Sequence, residues 1–93
     1  METTPARREV VYHGRVQGVG FRYTTVRLAS RFAVSGYVQN LHDGRVKLVA
    51  EGQVAEIEAF LTAIAGHFAA HIDDTNVRPS EATGEFNEFE IRP

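Results

Sequence analysis

Apolar residues recur along the chain with two different periods, and these periods predict the first strand and the first helix. Residues 9–13 form a run rich in β-branched and aromatic side chains that ends at Gly14, which is typical of a β-strand. Between residues 21 and 33 the apolar side chains at positions 21, 28, 29 and 32 fall on one face of a helix, and Gly36 lies just past its end. The first third of the chain is therefore predicted to be a strand followed by an amphipathic helix.

Two further strands are predicted around a tight turn. Residues 37–41 and 46–51 are rich in strand-forming side chains and flank residues 42–45, which contain the pair Asp43-Gly44. An Asp-Gly pair between two such runs is a strong hairpin signal, because glycine adopts the positive φ that the turn needs.

A second helix and one or two late strands complete the pattern. Apolar residues recur at helical spacing from residue 54 to residue 68, with glutamates in the first turns, and Gly66 is expected to end or loosen this helix. Residues 71–79 and 86–91 are strand candidates, separated by a turn at residues 80–84.

The order of these elements is strand, helix, strand, strand, helix, strand, with the last strand open to division in two. This order predicts an α+β fold, the ferredoxin-like (βαββαβ) sandwich, with two helices packed on one face of an antiparallel sheet. We expect a single domain over residues 8–93, preceded by a flexible tail at residues 1–7. Because many unrelated activities share this fold, function has to be inferred from a site.

Composition narrows the compartment and the partners. The 93 residues include no cysteine and no apolar run long enough to cross a bilayer, so we expect a cytoplasmic protein without a membrane partner. No nucleic-acid partner is expected either, because the net charge is −2 and general nucleic-acid affinity comes from Lys and Arg that neutralise phosphates.

The two halves of the chain differ in charge. Residues 1–47 carry eight Lys and Arg against three Asp and Glu, whereas residues 48–93 carry two against nine. This asymmetry either steers an anion toward a basic cleft or disappears where the two halves interleave in space.

The segment from Gly14 to Arg22 carries the clearest chemical signal in the sequence. Its three glycines allow tight turns and expose successive backbone N–H groups at the start of the predicted helix, where unpaired amides and the helix dipole favour an anion. Arg22 adds a planar guanidinium that grips two phosphate oxygens at once. The alternative is that the glycines only shape the β–α turn and that Arg22 is a solvated helix residue. That alternative explains poorly why residues 15–20 are needed, when about two to four residues would connect the elements.

Generic phosphate-binding motifs do not match this segment. It lacks the Gly-Lys-Ser/Thr of a P-loop and has Tyr23 where a dinucleotide fingerprint has its third glycine. Instead, the chain resembles the acylphosphatase family in three motifs, which are Gly14-Arg15-Val16-Gln17-Gly18-Val19-Gly20-Phe21-Arg22, Gly36-Tyr37-Val38-Gln39-Asn40 and Asp43-Gly44-Arg45-Val46. With looser similarity in its second half, the resemblance spans about residues 8–92.

The resemblance implies an enzyme that hydrolyses acyl phosphates to a carboxylate and inorganic phosphate, without a metal or any other cofactor. Arg22 matches the family's phosphate-binding arginine, and Asn40 matches the asparagine that positions the attacking water. The backbone amides of residues 17–21 match its phosphate cradle. The predicted substrate-binding residues are Arg15, Val16, Gln17, Gly18, Val19, Gly20 and Phe21. Taken without the loop motif, Asn40 would also suit the cap of a turn at a strand end.

The expected partners follow from the same resemblance. They are a small acyl phosphate as substrate and inorganic phosphate as product and competitive ligand, and we expect the chain to act as a monomer. Some positions depart from the common family pattern: Gln39 stands where an arginine is frequent, Lys47 where a glutamate is frequent, and Arg92-Pro93 closes the chain in place of arginine and an aromatic residue.

Two other classes of function remain open beside hydrolysis. One is a binding module that keeps the anion loop but has no useful turnover. The other is an RNA-binding ferredoxin-like domain, which predicts a Lys/Arg-Gly-Phe/Tyr-Gly/Ala-Phe strand motif that the chain lacks. No metal site is predicted, because His67 and His71 have a helical ligand spacing but no third ligand is evident.

Overall fold

The computed structural model describes residues 4–93, which form a five-stranded sheet and two helices. The elements follow one another along the chain as β1 (Ala6–Gly14), α1 (Phe21–Ala29), β2 (Val34–Asn40), β3 (Val46–Gly52), α2 (Val54–His67), β4 (Ile72–Glu81) and β5 (Phe89–Arg92). Within the described part of the chain, neither helix is long and apolar enough to cross a bilayer.

The strands lie in the order β4-β1-β3-β2-β5, and all neighbours are antiparallel except β2 and β5. The first four positions are those of the ferredoxin-like fold, so the predicted fold class is confirmed. The sheet is mixed rather than purely antiparallel, because the last strand is divided in two. After β4, which takes in residues 80–81 of the predicted turn, the chain crosses to the opposite edge of the sheet through residues 82–88. There the amide of Gly36 donates to the carbonyl of Glu88 (3.0 Å), and β5 runs parallel to β2.

One face of the sheet packs against both helices and forms the core. Buried strand residues on this face include Val10, Tyr12, Val46, Leu48 and Ala50. The helices contribute apolar stripes close to those that the sequence predicts, with Phe21, Leu28 and Ala29 buried on α1 and Ile57, Phe60 and Ile64 buried on α2. Full burial of one large apolar side chain stabilises a fold by about 1.5–3 kcal/mol. Tyr12, near the end of β1, and Phe21, at the start of α1, are both buried in this core. Their burial therefore fixes the two ends of the connection between β1 and α1.

Both helices end differently from the prediction. α1 stops at Ala29 instead of residue 33, because the hydroxyl and the amide of Ser30 both donate to the carbonyl of Arg27 (2.7 and 3.3 Å) and close a turn. α2 continues through Gly66 to His67. A glycine inside a helix costs only about 1 kcal/mol relative to alanine, and the neighbouring turns of α2 are anchored in the core.

The first strand begins earlier than predicted. β1 starts at Ala6, and the guanidinium of Arg7 is held there by an ion pair with Glu51 (2.9 Å). The predicted tail at residues 1–7 therefore gives up its last two positions to the sheet, and residues 1–3 lie outside the described residues.

The positions that depart from the common family pattern meet around Tyr37, on the sheet face opposite the helices. The side-chain amide of Gln39 donates to the carbonyl of Pro93 (2.7 Å), and the Arg92 guanidinium lies 3.7 Å from the centroid of the Tyr37 ring. The ammonium of Lys47 lies 6.0 Å from the same centroid. Cation–π contacts at exposed sites contribute about 0.5–1 kcal/mol each. The contacts of Gln39 and Tyr37 hold the C-terminus against β2, and Lys47 packs on the same ring from β3.

Candidate active site

The connection between β1 and α1, residues 15–20, lies at the end of the sheet where both β1 and β2 finish. Gly18 and Gly20 have φ angles of 77° and 79°, in the left-handed region that strains residues with a side chain. An added Cβ would meet no atom within 4 Å at either position. The backbone conformation of the loop, and not crowding around it, therefore requires glycine at these two places.

Most backbone amides of this connection donate to no acceptor among the described residues. The Arg15 amide donates to the carbonyl of His71 (2.9 Å), and the Thr24 amide donates to the carbonyl of Gly20 (3.0 Å) as the first bond of α1. Between them, the amides of residues 16–23 donate to no group of the described residues. α1 also begins without a side-chain cap and without an acidic residue in its first turn. A helix start of this kind leaves several donors for an anion, which the helix dipole also favours.

Arg22 brings a positive charge to the start of α1. It is half-buried in the first turn of α1 and lines a cavity of about 260 Å³. Its guanidinium makes no ion pair or hydrogen bond with the described residues, whereas that of Arg7 is paired with Glu51 at 2.9 Å. An unpaired cation beside uncommitted amides gives the cavity a positive lining that suits an oxyanion.

Asn40 closes the same cavity from the sheet. It is the last residue of β2 and pairs with Val46, which in turn pairs with Tyr12 near the end of β1. The Oδ1 atom of Asn40 is buried and accepts no hydrogen bond from the described residues. A buried acceptor without a partner costs about 1–3 kcal/mol, and native proteins keep few of them. That cost has an explanation if a bound ligand or a reacting water donates to this oxygen.

The cavity brings together most of the predicted site residues. Its lining residues are Val16, Gly18, Gly20, Phe21, Arg22, Tyr23 and Asn40. Val16 and Phe21 have buried side chains, so they offer their backbone to a ligand. Tyr23 is absent from the predicted site, although it directly follows Arg22 in the first turn of α1. Among the lining residues there is no Asp, Glu, His, Lys or Cys, so the site offers positive charge and positioning without a strong base.

Three predicted residues do not line the cavity, namely Arg15, Gln17 and Val19. The amide of Arg15 is engaged by the carbonyl of His71 at the base of the loop, and its side chain is exposed. Val19 is 38% exposed and lies between two lining glycines.

Gln17 has a structural contact that the sequence did not predict. Its side-chain amide donates to the carbonyls of Leu41 (2.7 Å) and Arg45 (2.9 Å), which are the two ends of the turn between β2 and β3. Because Leu41 directly follows Asn40, this contact fastens the loop that carries the amides to the strand that carries Asn40. No local pattern in the sequence predicts this contact, because its two acceptors lie 24 and 28 positions away along the chain.

A larger cleft of about 850 Å³ lies at the opposite end of the sheet and offers different chemistry. Its buried carboxylate, Glu51, accepts hydrogen bonds from Arg7 (2.9 Å), from the amide and hydroxyl of Thr83 (3.0 and 2.9 Å) and from the amide of Gly84 (3.0 Å). Burial acts to raise the pKa of Glu51, but these donors outweigh it and hold the pKa below its ordinary value. A carboxylate that is fully paired within the chain serves the fold, so the size of a cleft does not identify the site here.

Comparison with known proteins gives the class to which this fold and site belong. A family model described as Acylphosphatase matches residues 8–91. A curated acylphosphatase from Methylococcus capsulatus is 43% identical over 86 residues, which are 91% of this chain and 94% of the relative. The crystal structure of an acylphosphatase from Bacillus subtilis has a TM-score of 0.85 at 30% identity and covers 95% of this chain and 99% of that chain. Full-length HypF in its phosphate- and nucleotide-bound form has a TM-score of 0.89 at 30% identity, covering 100% of this chain and 12% of that chain.

The chain belongs to the acylphosphatase family, so the resemblance carried by the loop motif is confirmed. Relatives at this identity, over most of both chains, also support an enzyme with acylphosphatase activity. The predicted enzyme class is therefore confirmed as well.

Proposed function

We propose that this chain hydrolyses acyl phosphates to a carboxylate and inorganic phosphate in the cavity beside Arg22, with Asn40 positioning the attacking water. One observation carries the proposal. Uncommitted backbone amides, an unpaired guanidinium and an asparagine with an unpaired buried oxygen meet in one cavity of about 260 Å³. Membership of the family supports the reaction, and the geometry supports the role of each group.

The phosphoryl group of the substrate binds to the loop amides and to Arg22. The amides of the cavity-lining residues Gly18, Gly20 and Phe21 donate to its non-bridging oxygens, and the guanidinium adds a pair of charge-assisted hydrogen bonds. Phosphoryl transfer passes through a loose transition state whose charge is spread over these oxygens, so fixed donors stabilise it. The positive charge comes from the chain itself, and the proposed reaction therefore uses no metal and no cofactor.

Asn40 holds the attacking water through its Oδ1 atom and orients it in line with the bond from phosphorus to the acyl oxygen. The water oxygen bonds to phosphorus, the bond to the acyl oxygen breaks, and the carboxylate leaves with the bonding electrons. One proton of the water passes to a non-bridging phosphoryl oxygen, which gives inorganic phosphate. The conjugate acid of the leaving carboxylate has a pKa of about 4, so departure needs no proton from an acidic side chain. A lining without carboxylates or histidines fits this chemistry.

The partners follow from the same mechanism. Inorganic phosphate competes with the substrate, because both occupy the same amides and guanidinium. The enzyme acts as a monomer in the cytoplasm and takes neither nucleic acid nor a membrane as a partner. The absence of cysteine and the net charge of −2 support these last points.

The first test of the proposal removes the guanidinium. In buffer with excess EDTA, phosphate release from acetyl phosphate and benzoyl phosphate is measured for the wild type, Arg22→Ala and the control Arg31→Ala, whose side chain is exposed. We expect Arg22→Ala to raise KM and the inhibition constant for phosphate about 30- to 150-fold, since a charge-assisted contact of about 2–3 kcal/mol is lost. Arg31→Ala should behave as the wild type. Activity that disappears in EDTA would contradict the metal-free mechanism.

The second test removes the amide of Asn40. Asn40→Ala should lower kcat by about 10²-fold and leave the inhibition constant for phosphate near that of the wild type, because the group acts in the transition state. Asn76→Ala, an exposed position on β4, is the matched control. A near-normal kcat in Asn40→Ala would refute its role. No phosphate release by the wild type, combined with thermal protection by phosphate, would instead favour a binding module.

A further inference from the structure

The rim of the cavity carries exposed apolar side chains that the phosphoryl chemistry does not use. Among residues 4–93, the large hydrophobic side chains that are exposed are Val19, Tyr23 and Val77, at 38%, 72% and 45%. Tyr23 lines the cavity and Val19 lies between two lining glycines, whereas Val77 is on the edge strand β4. Single exposed apolar residues are common. Tyr23 differs from the other two because it lines the cavity itself, which places its exposed ring where a bound ligand can contact it.

The direction of Tyr23 follows from the packing of its helix. Phe21 points into the core, with its ring centroid 5.1 Å from that of Tyr12 and 4.5 Å from that of Phe68. Two positions further along a helix is a rotation of roughly 200°, which turns Tyr23 away from the core. Its ring makes no ring contact or hydrogen bond with any described residue, so it is available to a ligand.

The charges of the cavity limit what the acyl group can be. Arg22 is the one charged side chain in the lining, and the proposed mechanism assigns it to the phosphoryl group. An acyl group with a second charge, such as an ammonium or another phosphate, finds no counter-ion among the lining residues. A flat apolar acyl group can instead pack against the exposed ring of Tyr23.

We propose that Tyr23 forms the acyl subsite and that the enzyme prefers acyl phosphates whose acyl group is apolar, aromatic ones above all. This inference rests on the proposed function, since it requires the phosphoryl group to be held by the loop amides and Arg22. When the phosphoryl group is bound there, the acyl group of the substrate extends outward over the rim of the cavity. An aromatic acyl group then stacks on the ring of Tyr23. Such ring contacts are worth about two- to tenfold in affinity.

The experiment measures kcat/KM for benzoyl phosphate and for acetyl phosphate in the wild type, Tyr23→Ala, Tyr23→Phe and the control Val77→Ala. We expect the benzoyl-to-acetyl ratio of kcat/KM to fall about three- to tenfold in Tyr23→Ala and to stay near the wild-type ratio in Tyr23→Phe, which keeps the ring. Val77→Ala removes a similarly exposed apolar side chain far from the cavity and should leave the ratio unchanged. The inhibition constant for phosphate, measured in parallel, reports whether Arg22 and the loop are still in place.

The outcomes separate this inference from the proposed function. An unchanged ratio in Tyr23→Ala overturns the acyl subsite, and so does a fall in Tyr23→Phe as large as that in Tyr23→Ala, since the ring would then not be the contact. In either case the wild type still hydrolyses both substrates and the proposed function stands. If the wild type hydrolyses neither substrate, the proposed function fails and the acyl subsite fails with it.

Discussion

The two ends of the sheet treat their polar groups in opposite ways. At the end where β1 begins, the carboxylate of Glu51 accepts hydrogen bonds from Arg7, Thr83 and Gly84 at 2.9 to 3.0 Å. Arg7 has a second carboxylate partner in Glu9, at 3.2 Å. Every charge of this cluster is matched from within the chain, which is what a group that serves the fold requires.

At the end where β1 finishes, the polar groups around the cavity beside Arg22 are left without partners. Within residues 4–93, the amides of residues 16–23, the guanidinium of Arg22 and the Oδ1 atom of Asn40 make no hydrogen bond. Of these groups the Oδ1 atom of Asn40 is also buried, and an unpaired buried acceptor costs stability until a ligand or a water donates to it. The pairing of polar groups, more than the size of a cleft, therefore separates the structural end of this molecule from its proposed active end.

The largest expected effect is a loss of stability when Glu51 is removed from its cluster with Arg7, Thr83 and Gly84. Glu51→Ala leaves Arg7 without its main partner and frees the segment after β4, so we expect the free energy of unfolding to fall by about 3 kcal/mol. The control is Glu9→Ala, whose more exposed side chain should contribute under about 1 kcal/mol. Urea unfolding measures both. The kcat of folded Glu51→Ala should match that of the wild type, and a parallel loss of kcat would contradict the separation of the two ends.

A smaller effect, on kcat, is expected from Gln17, whose side chain joins the loop to the turn after Asn40. Gln17→Ala removes the side chain that fastens the loop to the turn after Asn40, and we expect kcat to fall about tenfold because the groups lose their mutual placement. The control Gln39→Ala also removes one side-chain amide, which donates to Pro93 at 2.7 Å, but it leaves the loop untouched.

Steady-state kinetics separate the two variants. In Gln17→Ala, kcat should fall much more than the affinity for inorganic phosphate, whereas Gln39→Ala should keep both. Each variant should lose about 1–2 kcal/mol of stability from the missing hydrogen bonds. If Gln17→Ala loses stability and keeps its kcat, the contact belongs to the fold alone.

Much of the fold could be predicted from the sequence, because its helices and most strands follow local periodicity. The sequence left open whether the last strand is divided, and the place of β5 beside β2 could not be predicted. It depends on the amides of Thr83 and Gly84, which bond to Glu51 more than thirty positions away in the sequence. The start of β1 was missed for the same reason, since Arg7 is fixed by a residue that is distant in the sequence.

The candidate site divides along the same line. Arg22, Asn40 and the glycines of the loop stand in recognisable motifs, so the sequence singles them out as one candidate site before their positions around one cavity are known. The side-chain contacts of Gln17 could not, because they depend on the turn between β2 and β3 coming to lie beside the loop. Tyr23 was missed because an exposed aromatic residue gains meaning only once the cavity beside it is known.

The smallest expected effect is a pH dependence of the unfolding free energy that arises from Glu51. The pKa of Glu51 lies below its ordinary value of 4.5, because its hydrogen-bond donors outweigh the effect of burial. A carboxyl whose pKa is lower in the folded state contributes stability that is fully present above pH 4.5 and is lost as the pH falls through the folded-state pKa. Glu51→Gln should therefore flatten the fall in unfolding free energy below pH 4.5, as measured by urea titrations at a series of pH values. Asp43→Asn is the control: the amide of Arg45 also lowers the pKa of Asp43, but this carboxyl is exposed, so solvent screens the interaction and the slope should barely change. An equal flattening in both variants would mean that the acid sensitivity does not arise from the buried cluster.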